Sequence, residues 1–324
     1  MFALAAEILP WILAFLVLDG LAQTRRGQLL LVSGGGRFRV LRPGLHLLGL
    51  LPLDEVVAVH DLPFLASPDR LFLLDPGARA DPPVIDATRP TTQKNAIVAG
   101  GYRLLKIDTL DNRSISDETL SSLCESVSAT PGDALVFSDF RHGIFNRRTI
   151  PRLIAAIPQG MYKVADSQVA SRWGNITDFK GFDLITPNER EARFALGDQD
   201  SGIRPLASAL YDAAQCKTLI LKLGEKGVLT CRSANHESLD SFVVADSFVE
   251  RVVDAVGAGD ALLAYATLSK LATGSDAIAT ILGSMAAACE CECDGNVPVR
   301  PEDVRRKLDE VERHAERLSG FRIV

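Results

Sequence analysis

The stretch Val253-Asp254-Ala255-Val256-Gly257-Ala258-Gly259-Asp260-Ala261-Leu262, "VDAVGAGDAL", sets two glycines and an acid between an apolar run and a segment of helical patterning. Two readings fit it. In the first, small residues at a strand-to-helix turn let the backbone approach a ligand, and the amides of the helix start attract phosphate. Asp260 can then take a proton from an attacking hydroxyl, while the amides of Gly257, Ala258 and Gly259 stabilise charge on the transferred group. In the second, the turn is only tightly packed and Asp260 caps the helix. The motif alone leaves both open.

Its flanks decide the fold class. "DALVFSDF" at 133–140, "YKVADSQ" at 162–168, "FDLITPN" at 182–188 and "TLILKLG" at 218–224 are short apolar runs that read as buried strands. "SDETLSSLCESVSA" at 116–129 has helical spacing, with Ser116 placed as its cap and Leu120, Leu123, Cys124 and Val127 along one face. Helical patterns recur at 147–157, 189–196 and 205–214, and three more close the chain at 260–272, 276–290 and 301–318. "GEKG" turns the chain into "VLTCRS", a hairpin. This alternation predicts an α/β fold, a mainly parallel sheet with helices on both faces.

Ligands of such sheets sit beyond the carboxyl ends of the strands. "TPNEREA" at 186–192 stands at one such end, where Asn188 and Glu191 either cap a helix or hold a hydrated Mg²⁺ through water. "LKLGEKG" at 221–227 stands at another, with Gly224 and Gly227 in its turn. Each is ordinary local structure when taken singly.

"TPNERE", "KLGEKG" and "DAVGAGD", in that order, resemble the ribokinase (PfkB) family of carbohydrate kinases, over about residues 91–318. "TTQKNAIVAGGYRLLKID", "DALVFSDFRHG", "VADSQ" and "GFDLITPNEREA" are most similar to the branch containing bacterial heptose-7-phosphate kinase domains. The resemblance implies a ribokinase-like fold and ATP-dependent phosphorylation of a hydroxyl on a sugar or sugar phosphate. It also implies Asp260 as general base and Gly257, Ala258 and Gly259 as anion hole. Asn188 and Glu191 would organise Mg²⁺ and phosphates, and Gly224, Gly227 and Asn296 would line the nucleotide. Lys94, Asp139 and Asp166 fall where relatives turn polar residues to the substrate cleft. Some relatives carry a monovalent cation near the anion hole, and homodimers built through lid strands are common among them. One departure is Ala96, where relatives often have Arg.

The front of the chain differs. Residues 1–90 hold 21 leucines, nine of the sixteen prolines and no lysine, whereas all nine lysines lie from Lys94 onward. The shift places a boundary between residues 1–90 and a kinase-like domain at 91–324, with "DPPVIDATRP" at 81–90 as linker. "QLLLVSGGGRFRVL" at 28–41 reads as a hairpin across Gly34, Gly35 and Gly36. Residues 2–22 are apolar and precede Arg25 and Arg26, which reads either as a membrane helix holding the chain at the cytoplasmic face or as a buried or interfacial helix. The family's first strands and lid have no counterpart here, so they are expected to be missing or replaced by this unrelated segment. The alternative to an active kinase is therefore a nucleotide-binding module of little catalytic power, membrane-tethered or the product of a fusion.

A net charge of −6 and a pI near 5.5 exclude a generic nucleic-acid binder and favour a small-molecule partner. Six cysteines with no CxxC pair predict reduced thiols and a cytoplasmic setting. "CECEC" at 289–293 would offer three thiols to a soft metal only if extended, and otherwise ends a packed helix.

Overall fold

The computed structural model describes residues 27–33, 53–60, 84, 86, 88–89, 93–99, 102–109, 111, 113–129, 132–168, 176–294 and 298–319, the first four strands and the end of the last helix as backbone. Its main sheet contains β1 (Gly27–Ser33), β2 (Leu53–His60), β5 (Ala134–Asp139), β6 (Tyr162–Ser167), β7 (Leu184–Ile185), β8 (Thr218–Lys222), β9 (Val228–Cys231) and β10 (Phe242–Ala245). Their spatial order is β10-β9-β8-β7-β6-β5-β1-β2. The six strands from β2 to β8 pair in parallel, and β9 and β10 extend the sheet antiparallel. A separate two-stranded sheet joins β3 (Gln93–Ala99) to β4 (Tyr102–Thr109). The fold is ribokinase-like, as the alternation and the motif order anticipate.

Strand alternation sorts the core into two layers. Leu135, Phe137, Ala165, Ile185, Leu219 and Leu221 face one side. There they meet α1 (Asp117–Ala129), α2 (Ile150–Ala155), α3 (Glu189–Leu196) and α4 (Ile203–Ala214). The rings of Phe137, Phe145, Phe179 and Phe182 pack together in this layer, with Phe137 centred 5.2 Å from Phe145 and 5.7 Å from Phe182. Ala134, Val136, Val164, Leu184 and Ile220 face the other side and pack on α5 (Ala258–Thr273), α6 (Asp276–Cys291) and α7 (Pro301–Ser319). Burial on both faces explains why the strands read as unbroken apolar runs. Ser116 caps α1 as expected, accepting the Thr119 amide at 3.0 Å.

Three expectations change. The hairpin across Gly34–Gly36 is not made by β1: it is flanked in parallel by β5 and β2, so neither edge is open to an antiparallel return. Gly34, Gly35 and Gly36 themselves lie outside the described residues. Of the two expectations for the sheet's first strands, the place beside β5 being filled by β1 and β2 fits replacement. The Pro-rich seam is also more than a loose linker. Val84 packs against the first core layer, Asp86 accepts the Thr119 hydroxyl at 3.3 Å, and Arg89 donates to the His142 carbonyl at 2.5 Å.

The apolar stretch at 2–22 lies outside the described residues, and among those described no helix is long and apolar enough to cross a membrane. "CECEC" ends a helix, with Cys289 and Cys291 in α6. Residues two apart on a helix point in roughly opposite directions, about 200° around the axis, so these thiols cannot converge. Among the described residues no three His, Cys, Asp or Glu side chains could hold a metal ion.

Candidate active site

At the start of α5 the chain turns through Gly257, whose φ of +93° suits glycine alone. The N-terminus of α5 carries the positive end of the helix dipole, and the Ala258 amide there bonds the Ala255 carbonyl at 3.4 Å. The loop leading into this turn is fixed by the far end of α6. The Cys291 carbonyl accepts the amides of Val253 at 2.7 Å and Asp254 at 3.1 Å. Glu292 Oε1 accepts the Glu250 amide and the Lys307 ammonium, each at 2.8 Å. A cavity of about 240 Å³ lies behind this anchor, lined by residues such as Cys289, Glu292, Val299 and Lys307. None of the expected site residues lines it, so it is separate from the turn.

Beside the turn run the carboxyl ends of β6, β7 and β8. Asp166, Thr186 and Lys222 continue the phase of Val164, Leu184 and Ile220, and so stand on the face that carries α5. They are bonded together: Asp166 Oδ1 accepts Thr186 Oγ1 and Lys222 Nζ, both at 3.0 Å. A Cβ added to Gly259 would lie 3.2 Å from Lys222 Nζ, which places this ammonium directly against the turn. Burial favours the neutral amine, but the charges of Asp166, Glu191 and Asp260 hold the Lys222 pKa above its ordinary value.

Asn188 precedes α3 in extended conformation, and its Oδ1 accepts the Glu191 amide at 2.8 Å while Glu191 Oε2 accepts the Asn188 amide at 2.7 Å. The pair is therefore a capping box. It is tied to the site by the parallel bridge between Asn188 and Lys222. Replacing Asn188 by Ala is expected to cost about 1 kcal/mol of stability, read by thermal unfolding, with Asn188→Asp retaining most of it.

The remaining expected residues are placed as follows. Gly224 opens a short 3₁₀ turn through Lys226, and Gly227 closes it, donating to the Gly224 carbonyl at 3.0 Å and accepting the Leu223 amide at 2.8 Å. Asp139 lies on the opposite face of the sheet from Asp166. Its carboxylate accepts the Arg141 amide at 2.7 Å, Arg141 Nη1 at 2.6 Å and Ser167 Oγ at 2.9 Å. Burial pushes its pKa up against the pull of Arg141 and Ser167. Lys94 sits in β3, opposite Asp108 in the two-stranded sheet. Asn296 is outside the described residues.

Sequence reasoning did not single out Lys222. The signal was present: in "TLILKLG" it shares the phase of Ile220 and so puts a cation on a buried face. A second group also escaped notice, Cys231 with His236 and Asp212. Cys231 Sγ is 3.8 Å from His236 Nδ1, and His236 Nε2 is 3.0 Å from Asp212 Oδ1. This order of thiol, imidazole and carboxylate imitates an activated nucleophile. Cys231 is wholly buried, however, and burial pushes its thiol up to about 11, so the thiolate is scarce at neutral pH. The cluster joins β9 to α4.

Comparison with known proteins points to the same family as the motifs. Residues 79–302 match the pfkB family carbohydrate kinase domain, so the match begins just ahead of the Pro-rich seam, earlier than the motifs alone indicate. The chain is 27% identical over 277 residues to the bifunctional protein HldE of Pelobacter propionicus, covering 76% of this chain and 54% of that one. It is also 27% identical over 234 residues to the Rhodopseudomonas palustris protein of that name, covering 69% and 46%. The chain thus spans about half the length of these relatives. Among solved structures, Escherichia coli phosphofructokinase-2 in complex with substrates and products superposes with TM-score 0.65 at 16% identity, covering 89% of this chain and all of that one. Ribokinase from Giardia lamblia gives TM-score 0.55 at 17% identity, covering 72% and 75%. These two likenesses show the fold. With the turn, the strand-end motifs and the family match in agreement, the chain belongs to the pfkB family of carbohydrate kinases.

Proposed function

We propose that the chain is an ATP-dependent phosphotransferase acting on a hydroxyl of a sugar or sugar phosphate, with Asp260 as general base and the Gly257-Ala258-Gly259 amides as anion hole. The observation that carries the reading is the Gly257 turn at the positive end of α5, bordered by the half-buried Lys222 ammonium and by the Asn188–Glu191 box. Phosphoryl transfer relies on positioning and on electrostatic stabilisation of the transferred group, and these elements supply both. Asp260 would accept the acceptor's proton as its oxygen attacks. The turn amides would hold the equatorial oxygens, and the 3₁₀ turn between Gly224 and Gly227 would border the nucleotide.

The donor set fits Mg²⁺ only as a hydrated ion carried by nucleotide phosphates. Asn188 and Glu191 already bond each other's amides, and no cluster of three ligands exists among the described residues. When bound, Mg²⁺ would neutralise phosphate charge, and Asn188 and Glu191 would orient its water shell. We assign this work to residues 91–324, with β1 and β2 completing the sheet. The motif resemblance makes a heptose phosphate the first acceptor to try.

The test is incubation of the purified chain with ATP, Mg²⁺ and a panel of sugars and sugar phosphates that includes heptose 7-phosphate. Acceptor-dependent release of ADP is expected. Nucleotide binding with no turnover on any acceptor would replace the kinase by the catalytically silent module.

A further inference from the structure

Lys222 borders the turn, and the proposed reaction assigns it no step of its own. It ends β8 beside Asp166, the last residue but one of β6, and Thr186, the residue just after β7, and its backbone amide bonds the Pro187 carbonyl at 2.9 Å. Its ammonium is anchored on one side by Asp166 at 3.0 Å and abuts Gly259 on the other. Any side chain at 259 would press on it. The glycine therefore lets a cation, as well as a ligand, approach the turn.

The surrounding charge makes this contact consequential. Asp166 and Glu191 are buried, and together with Asp260 they put three carboxylates around one ammonium. A polyanion entering beside these acids meets repulsion that water screens poorly in a partly buried corner. A fixed positive charge under the turn offsets it, and a carboxylate-anchored lysine provides that charge with little freedom left to lose on binding.

We propose that Lys222 is the charge-positioning residue of the phosphate site: anchored by Asp166 and seated under Gly259, its ammonium offsets the neighbouring carboxylates and makes the turn receptive to a polyphosphate. The inference rests on the kinase reading for the turn and adds to it the residue that sets the turn's charge.

The test compares wild type with Lys222→Met, Lys222→Arg and the double variant Asp166→Asn/Lys222→Met. Binding of tripolyphosphate and of MgADP is measured by calorimetry, and turnover on whichever acceptor is active. The double variant removes both partners of the buried pair, so it stays folded if the single Met variant does not. Loss of the ammonium is expected to weaken tripolyphosphate and MgADP at least about tenfold in the Met variant, and by less in the double variant, which also removes one of the opposed carboxylates. Arg is expected to retain affinity closer to wild type, and the loss is expected to appear in KM for ATP more than in KM for the acceptor. A double variant that loses as much as the single Met variant overturns the proposal, because the ammonium then does not act by offsetting the carboxylates. Wild-type turnover with Lys222→Met also overturns it and leaves the kinase reading standing. Lys222-dependent tripolyphosphate binding with no turnover on any acceptor supports Lys222 and removes the sugar kinase. If wild type binds neither ligand, both fall.

Discussion

Asp260→Asn is expected to lower kcat by about 10²–10⁴ while leaving nucleotide affinity unchanged or slightly improved. Asparagine keeps the size and shape of the side chain at the third position of α5, so the turn at Gly257 is preserved. Its amide cannot accept the proton of an attacking hydroxyl, and that proton must then go to water. The substitution also removes one of the three negative charges that act on Lys222, which eases the approach of a polyanion. Loss of an acid from the first turn of α5 costs at most about 1 kcal/mol of helix stabilisation, so the variant remains folded. Steady-state kinetics on the active acceptor, with calorimetric binding of MgADP as control, decide the matter. A kcat within tenfold of wild type would exclude Asp260 as the base.

Gly227→Ala is expected to lower stability by roughly 4 kcal/mol or more, strain and steric overlap adding together. The residue has φ +84° and ψ −133°, a combination that L side chains rarely adopt. An added Cβ would also come within 2.1 Å of the Ala245 carbonyl oxygen and 2.7 Å of the Ser247 nitrogen, both backbone atoms that can yield only if β10 moves. A neighbouring glycine provides the control. Gly224 has φ +63° with nothing within 4 Å of its added Cβ, so Gly224→Ala is expected to cost only about 1 kcal/mol. The difference should be plain in melting temperature, at about 2–4 °C per kcal/mol for a chain of this order of size. Equal melting temperatures for the two variants would refute the argument. Because Leu223 donates to the Gly227 carbonyl just after Lys222, the Gly227 variant should also weaken MgADP binding.

Much of the candidate site was legible as local pattern. Asn188 and Glu191 are three residues apart at a helix start, and the capping box they form follows from that spacing. The turn at Gly224–Gly227 and the glycine at the start of α5 are likewise local geometry written in small residues. Asp139 and Asp166 show where legibility ends. Both come at the end of an apolar strand, and nothing in "DALVFSDF" or "VADSQ" says that their carboxylates point to opposite faces. That depends on the register of β5 against β6, where Ser138 and not Asp139 stands beside Asp166. A shift of one residue exchanges the faces.

The front of the chain shows the same limit. "QLLLVS" is evidently a strand, but a hairpin return and a central parallel place are equally compatible with an apolar run before three glycines. Its partner β5 lies far along the chain, so no local pattern names it.

By itself the sequence determined the class of fold, most of the order of strands and helices from residue 116 on, and which short motifs end at strand tips, because periodicity and turn chemistry act over a few residues. Only the tertiary structure decided which of those tips share a corner. The contact of Lys222 with Gly259 and Asp166 joins three segments far apart along the chain, and the neutralising charge it creates is a property of their packing rather than of any one of them.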